Sequence, residues 1–201
     1  VAAIALTVLT LLYFDLTSRI RITNRLTTWG HHGWLGGTVG MPLILALACF
    51  TFTGWKYLLP IPATLVCLGA VAAMSLAWKH GTRLERLGWT VITSSLFVGM
   101  LVGMYAFDGP LPAPPGMEQY QGMGRRLLRI GHAYTIVLGI IALFLAERFQ
   151  RQARVLPAQQ IGIRFFVASL FIIPSTLVLV GCTIAPTWAT GIGPACTALG
   201  L

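Results

Sequence analysis

Four histidines carry the most versatile chemistry in this chain, because a neutral imidazole can ligate haem iron or another metal. His31 and His32 open one long apolar run, and His80 closes the next one. If the two runs form adjacent antiparallel helices, His80 and one of the pair lie at a similar depth, as a haem b or a metal pair requires. An interfacial imidazole that bonds lipid headgroups or backbone carbonyls is the simpler interpretation, and both stay open.

A fourth histidine lies in a second polar pattern further along the chain. Arg125, Arg129 and His132 are spaced i, i+4, i+7, so on a helix they share one face. This face can hold an anionic lipid, a haem propionate or a quinone carbonyl, and a lipid phosphate is the plainest of these partners.

A short basic motif occurs three times, each time just before a long apolar run. Its copies are Arg25-Leu26…Gly30-His31, Arg83-Leu84…Gly88-Trp89 and Arg126-Leu127…Gly131-His132. The arginine suits lipid phosphates, the glycine lets a neighbouring backbone approach, and the ring suits the polar boundary of a bilayer. The arginines predicted to contact headgroups are Arg25, Arg83, Arg86, Arg125, Arg126 and Arg129.

Motifs of the common catalytic classes are missing from the sequence. It contains no Ser-His-Asp pattern, no HExxH and no Gly-rich phosphate loop, so no catalytic residue is predicted. The apolar runs also lack the charged residues of a proton relay or ion path. The four cysteines do not have metal-binding spacing, but Cys182 and Cys196 can pair if the C-terminal end faces an oxidising compartment.

The composition indicates a membrane protein. Hydrophobic residues make up 56% of the chain and charged residues 9%, whereas soluble domains have about 25% charged residues. Apolar runs of this length predict an all-α, polytopic integral membrane helical bundle. The net charge of +9 lies in short loops beside these runs, which indicates topology and lipid headgroups and argues against nucleic acid.

The runs predict about six transmembrane helices, or five if the first is not a full span, in a single domain covering 1–201. The predicted spans are 1–16, 32–54, from just after Pro62 to Trp78, 87–107, 127–146 and 161–185. Residues 17–29 are predicted as a polar loop or short interfacial segment, 108–124 as an outer Pro-rich loop, and 186–201 as a Gly/Pro/Thr-rich tail. Aromatic residues near the span ends predict a boundary belt: Trp29, Trp34, Trp55, Tyr57, Trp78, Trp89, Tyr105 and Trp188.

The distribution of positive charge predicts an orientation. Ten of the 14 Lys and Arg residues fall on one side of the predicted bundle, which places the loops near 17–31, 79–87 and 147–164 in the cytoplasm. The loop 108–124 and the C-terminus are then outside, with a bacterial inner membrane as the expected location.

Three functions are compatible with these features. The expected one is a non-catalytic membrane subunit of a larger respiratory or photosynthetic electron-transfer complex, in contact with other membrane subunits and lipids. The alternative is a small membrane cytochrome b that exchanges electrons between haem and quinone. A small-solute transporter is the third, but the chain lacks the mid-membrane polar residues and half-to-half symmetry expected of one.

Overall fold

The computed structural model describes residues 2–20, 25–105, 122–152, 156–181 and 190–200, and all regular secondary structure in these ranges is helical. The predicted all-α class is therefore confirmed. The helices are α1 (Ala2–Arg19), α2 (Arg25–Phe50), α3 (Pro60–His80), α4 (Arg83–Tyr105), α5 (Met123–Gln150), α6 (Pro157–Gly181) and α7 (Ile192–Gly200). A short 3₁₀ helix, Thr53–Leu58, connects α2 to α3.

Four helical segments in the described ranges are long and apolar enough to cross a membrane. They are Thr27–Phe50, Gly54–His80, Met123–Gln150 and Pro157–Leu177. A helix needs about 20 predominantly apolar residues to cross the hydrocarbon core, and α1 and α4 are not among the segments that qualify. A membrane-embedded helical protein is supported, whereas the predicted count of six spans is not confirmed.

The basic motifs lie inside helices and not in the loops between them. Helix α1 continues to Arg19 and α2 already begins at Arg25, so the loop predicted over 17–29 is wrong for 17–19 and 25–29, and residues 21–24 lie outside the described ranges. Helix α5 likewise begins at Met123, inside the predicted loop 108–124, of which residues 108–121 lie outside the described ranges. Arg and Leu are good helix formers, so these helices extend past their most apolar stretches.

Helices α2 and α3 pack with their backbones in contact. Gly30 lies against Ala72, while a Cβ atom at Gly37 would lie 2.6 Å from both the Pro62 carbonyl oxygen and Val66 Cγ2. The earlier glycine meets the later part of α3, so the two helices are antiparallel. The close approach at Gly30 confirms the role predicted for the glycine in the first copy of the motif, since small residues let membrane helices meet.

Helices α4 and α5 approach each other in the same way. A Cβ atom at Gly88 would lie 3.2 Å from the Gly139 carbonyl oxygen and 2.9 Å from Leu143 Cδ2. Gly99, further along α4, packs against His132 in the first part of α5, so this pair is also antiparallel.

Helix α1 is attached by large side chains. The Tyr13 ring stacks on Trp34 with 5.0 Å between centroids, and Trp89 meets Trp34 edge-on at 6.3 Å. The Trp34 indole N–H donates to the Thr10 hydroxyl at 3.1 Å. These rings form the centre of the main buried cluster, which joins residues of α1, α2, α3, α4 and α5.

The predicted aromatic belt is therefore wrong for two of its members. Trp34 is 0% exposed and Trp89 is 1% exposed, whereas Trp29 on the same helix as Trp34 is 75% exposed. Five residues separate Trp29 from Trp34, which turns them about 140° apart on a helix. Trp55, Tyr57 and Trp78 are exposed as expected, and the side chains of Tyr105 and Trp188 lie outside what the structure describes.

The C-terminal tail returns to the bundle as helix α7. A Cβ atom at Gly162 would lie 3.0 Å from the Gly200 carbonyl oxygen, so the end of α7 packs on the first turns of α6. The charge distribution predicts the connector 147–164 and the C-terminus on opposite sides. Contact between Gly162 and Gly200 contradicts that arrangement, because it brings both to one level of the bundle. Cys182 lies outside the described residues, so its pairing with Cys196 stays a prediction.

Candidate functional site

Two helix ends and one turn surround a polar cavity at one end of the bundle. The cavity has a volume of about 560 Å³ and lies between the end of α1, the α3–α4 turn and the end of α5. Its described lining consists of Leu16, Arg19, Ile20, His80, Gly81, Thr82, Glu85 and Gln150. Imidazole, guanidinium, carboxylate, amide and hydroxyl groups therefore face one space.

The α3–α4 turn fixes the carboxylate of this cavity. The Thr82 backbone N–H donates to Glu85 Oε2 at 2.8 Å, and the Glu85 backbone N–H donates to the Thr82 hydroxyl at 3.3 Å. This reciprocal pair is a capping box, which satisfies backbone donors at the start of a helix. Arg86 Nε donates to the Gly81 carbonyl at 3.0 Å and closes the same turn.

An ion pair joins this turn to α1. Arg19 binds Glu85 Oε1 at 3.1 Å and Asp15 Oδ2 at 2.8 Å. Glu85 is only 4% exposed, so its negative charge is compensated inside the protein by the guanidinium and the Thr82 donors. Neither Glu85 nor Arg19 was predicted as a site residue. The pattern Thr82-x-x-Glu85 before an apolar run was a readable signal for the cap, but it does not reveal the partner on α1.

A second cavity lies on the other side of α1, against α2. It has a volume of about 540 Å³, and its described lining is Phe14, Asp15, Thr17, Ser18, Thr27, Thr28 and His31. The His31 ring lies 5.2 Å from the Phe14 ring and 6.0 Å from the Tyr13 ring, measured between centroids. His32 is exposed, and its ring centroid lies 6.1 Å from that of His31.

The structure does not bring His31 and His80 together at one depth. Gly30 packs on Ala72, which precedes His80 by eight residues. At about 1.5 Å per residue, His80 lies about 12 Å further along the α3 axis than the level of His31. The two histidines also line different cavities. Haem ligation by His31, His32 or His80 stays a prediction.

His132 lies between α4 and α5 rather than at the polar boundary predicted for the motif ring. Its Nδ1 is 2.8 Å from the Ser95 carbonyl oxygen, and the Ser95 hydroxyl donates to the His132 carbonyl at 3.0 Å. Because a carbonyl oxygen can only accept, the Nδ1 atom carries the proton. Nε2 lies close to the backbone of Gly99, where a Cβ atom would be 2.7 Å away. His132 therefore joins two helices.

The predicted headgroup arginines fall into two groups. Arg25, Arg83 and Arg126 are exposed, as contact with headgroups requires, while Arg125 and Arg129 are half-buried. Arg129 Nε donates to the Arg125 carbonyl at 3.3 Å. Arg86 is engaged in the α3–α4 turn as described above. Lipid contact by any of these arginines stays a prediction.

The described residues contain no group of three or more His, Cys, Asp or Glu side chains placed to hold a metal ion. Two axial histidines suffice for a haem, so this finding leaves the haem prediction untested. No protein-family model, curated protein or solved structure matches this chain.

Proposed function

We propose that this chain is a non-catalytic integral membrane subunit of a larger complex, of the respiratory or photosynthetic electron-transfer class. In this role it supports neighbouring membrane subunits and contacts lipids or cofactors. The proposed location is a bacterial inner membrane, with the turn near 79–87 on the cytoplasmic side and the loop 108–124 outside, because Lys and Arg favour the cytoplasm.

The observation that carries the proposal is the use of interior polar groups to join helices. His132 and Ser95 connect α5 to α4, and the Thr93 hydroxyl donates to the Ala70 carbonyl of α3 at 3.2 Å. Further hydroxyls bond their own helix, such as Thr38 to Trp34 and Thr135 to Gly131. Polar side chains used in this way support packing and not the passage of a solute.

Exposed apolar side chains supply surface for lipids and partner subunits. They occur on α2, α5 and α6 and include Val39, Leu43, Phe50, Phe144 and Phe171. The choice of an electron-transfer complex over another kind of complex rests on analogy of class and not on a residue spacing.

The proposal is tested on native membranes extracted in a mild detergent. We expect the chain to migrate in a blue-native gel with other subunits, and a photo-crosslinker at Val39 to capture one of them. A crosslinker at the buried Trp34 is the matched control on the same helix. A lone monomer without co-purifying subunits would contradict the proposal, and a Soret band from the isolated chain would support the cytochrome b alternative.

A further inference from the structure

The cavity between α1, the α3–α4 turn and α5 contains fixed groups of both charge signs at the predicted water boundary. We propose that it binds the headgroup of a zwitterionic phospholipid with a primary ammonium, the phosphatidylethanolamine class. This inference rests on the proposed membrane location and not on the identity of the complex.

The negative side of the cavity is built into the fold. Glu85 is 4% exposed and is held by the Thr82 N–H at 2.8 Å, the Thr82 hydroxyl at 3.2 Å and Arg19 at 3.1 Å. A carboxylate has about four acceptor positions, so these three donors leave one for a ligand. Arg19 also binds Asp15, so its guanidinium is shared between two carboxylates and does not satisfy Glu85 alone.

Two neutral donors of the same cavity lie on exposed residues. His80 ends α3 and is exposed, with exposed Lys79 and Arg83 close to it in the sequence. Gln150 contributes an exposed amide from the end of α5. Imidazole and amide N–H donors suit a phosphate, so the lining offers partners for both ends of a zwitterion.

The shape and the apolar wall also fit a lipid headgroup. Leu16, which is 2% exposed, and Ile20 line the α1 side and suit the glycerol and first acyl carbons. The volume of about 560 Å³ is within the ~300–1,000 Å³ of small-molecule sites. The described lining contains no Phe, Tyr or Trp ring, so a quinone headgroup has no aromatic side chain on which to stack.

The experiment measures lipid binding to the delipidated full chain, with any subunits that co-purify, by native mass spectrometry. Phosphatidylethanolamine, phosphatidylcholine and phosphatidylglycerol with identical acyl chains are compared. We expect phosphatidylethanolamine to bind at least about tenfold more tightly than either of the others, because a charge-assisted hydrogen bond to Glu85 needs an N–H donor. The trimethylated ammonium of phosphatidylcholine has none, and phosphatidylglycerol has no ammonium.

Two carboxylates at the same end of the bundle provide a matched comparison. Glu85→Gln should remove the preference for phosphatidylethanolamine, whereas Glu147→Gln should keep it, since Glu147 pairs with Arg151 outside the cavity lining. His80→Ala should weaken phosphatidylethanolamine binding by about fivefold. His80 is exposed at a helix end, so this variant tests the site even if Glu85→Gln fails to fold.

Equal binding of the three lipids, or a preference for phosphatidylglycerol, would overturn the inference. So would competition by a quinone, or a preference unchanged in both Glu85→Gln and His80→Ala. Native mass spectrometry measures the lipid preference, and the blue-native gel measures whether other subunits co-migrate with the chain. Failure of one proposal is therefore distinguishable from failure of the other.

Discussion

Helices α1 and α2 join the same bundle by different means. Helix α2 meets α3 at the backbone, where Gly30 and Gly37 leave no space for a side chain. Helix α1 is held by large side chains, through Tyr13 on Trp34 and Arg19 on Glu85. The first kind of interface is sensitive to any added atom. The second depends on a few groups, each of which can be removed singly.

Removing the Trp34 ring should have the largest effect, because it anchors α1. Trp34→Ala deletes the stack on Tyr13 and the bond to Thr10, and leaves a cavity in the main buried cluster. We expect the free energy of unfolding to fall by about 4 kcal/mol, as for other buried Trp→Ala changes. Unfolding in mixed detergent micelles measures it. Trp29→Ala, on the exposed face of the same helix, should change the free energy of unfolding by less than about 0.5 kcal/mol. Equal losses in Trp34→Ala and Trp29→Ala would contradict the burial of Trp34 in the core.

Adding one methyl group to the α2–α3 interface tests the backbone contact. A Cβ atom at Gly37 would lie 2.7 Å from the Val66 backbone nitrogen, so Gly37→Ala forces the helices apart. The expected loss of unfolding free energy is about 2–3 kcal/mol. The neighbouring Gly36 is the control, because its Cβ atom would be 3.6 Å from Leu65 Cδ1, an ordinary contact. If Gly36→Ala and Gly37→Ala lose the same amount of unfolding free energy, the register of α2 against α3 is wrong.

Breaking the ion pair between Arg19 and Glu85 should lower the free energy of unfolding by less than losing the Trp34 ring. Arg19→Gln leaves Glu85 buried with only the Thr82 donors, and we expect a loss of about 2 kcal/mol. Arg19 is itself partly exposed, which moderates the loss. Arg151→Gln removes an exposed i,i+4 pair with Glu147 and should cost less than about 0.5 kcal/mol. The comparison is made by thermal unfolding in the same micelles. A larger loss in Arg151→Gln would refute the role assigned to the ion pair between Arg19 and Glu85.

The two kinds of interface also differ in how far the sequence predicts them. The glycines of the basic motif indicated close backbone approach, because small residues before an apolar run are typical of helix contacts. The partner of Arg19 could not be predicted, since Glu85 lies far along the chain and a salt bridge leaves no periodic signal. The capping box of Thr82 and Glu85 is local and was readable.

The candidate ligands show the same limit. His80 ends α3 as expected, whereas His31 lies inside α2, six residues after Arg25, and the relative depth of the two depends on the register of α2 against α3. That register is set by Gly30 on Ala72 and Gly37 on Pro62, a tertiary contact that hydropathy does not encode. The contact between Gly200 and Gly162 likewise could not be predicted by counting charged residues, because residues 165–201 contain no Asp, Glu, Lys or Arg.

The smallest effect is expected at a contact between α4 and α5 that combines both kinds of interface. His132 packs on Gly99 and exchanges hydrogen bonds with Ser95, so α4 and α5 meet through a backbone and a side chain together. Ser95→Ala removes the contacts of the hydroxyl with the His132 carbonyl and with Nδ1, but keeps the bond from Nδ1 to the Ser95 carbonyl. We expect a loss of about 1 kcal/mol, in the range of hydrogen bonds between membrane helices. Ser94→Ala, on the exposed side of α4, is the control and should be neutral. A loss above that of Arg19→Gln would show that the α4–α5 interface depends on this hydroxyl more than on the glycine contacts around it. The α4–α5 interface would then resemble the side-chain contacts of α1 and not the backbone contact between α2 and α3.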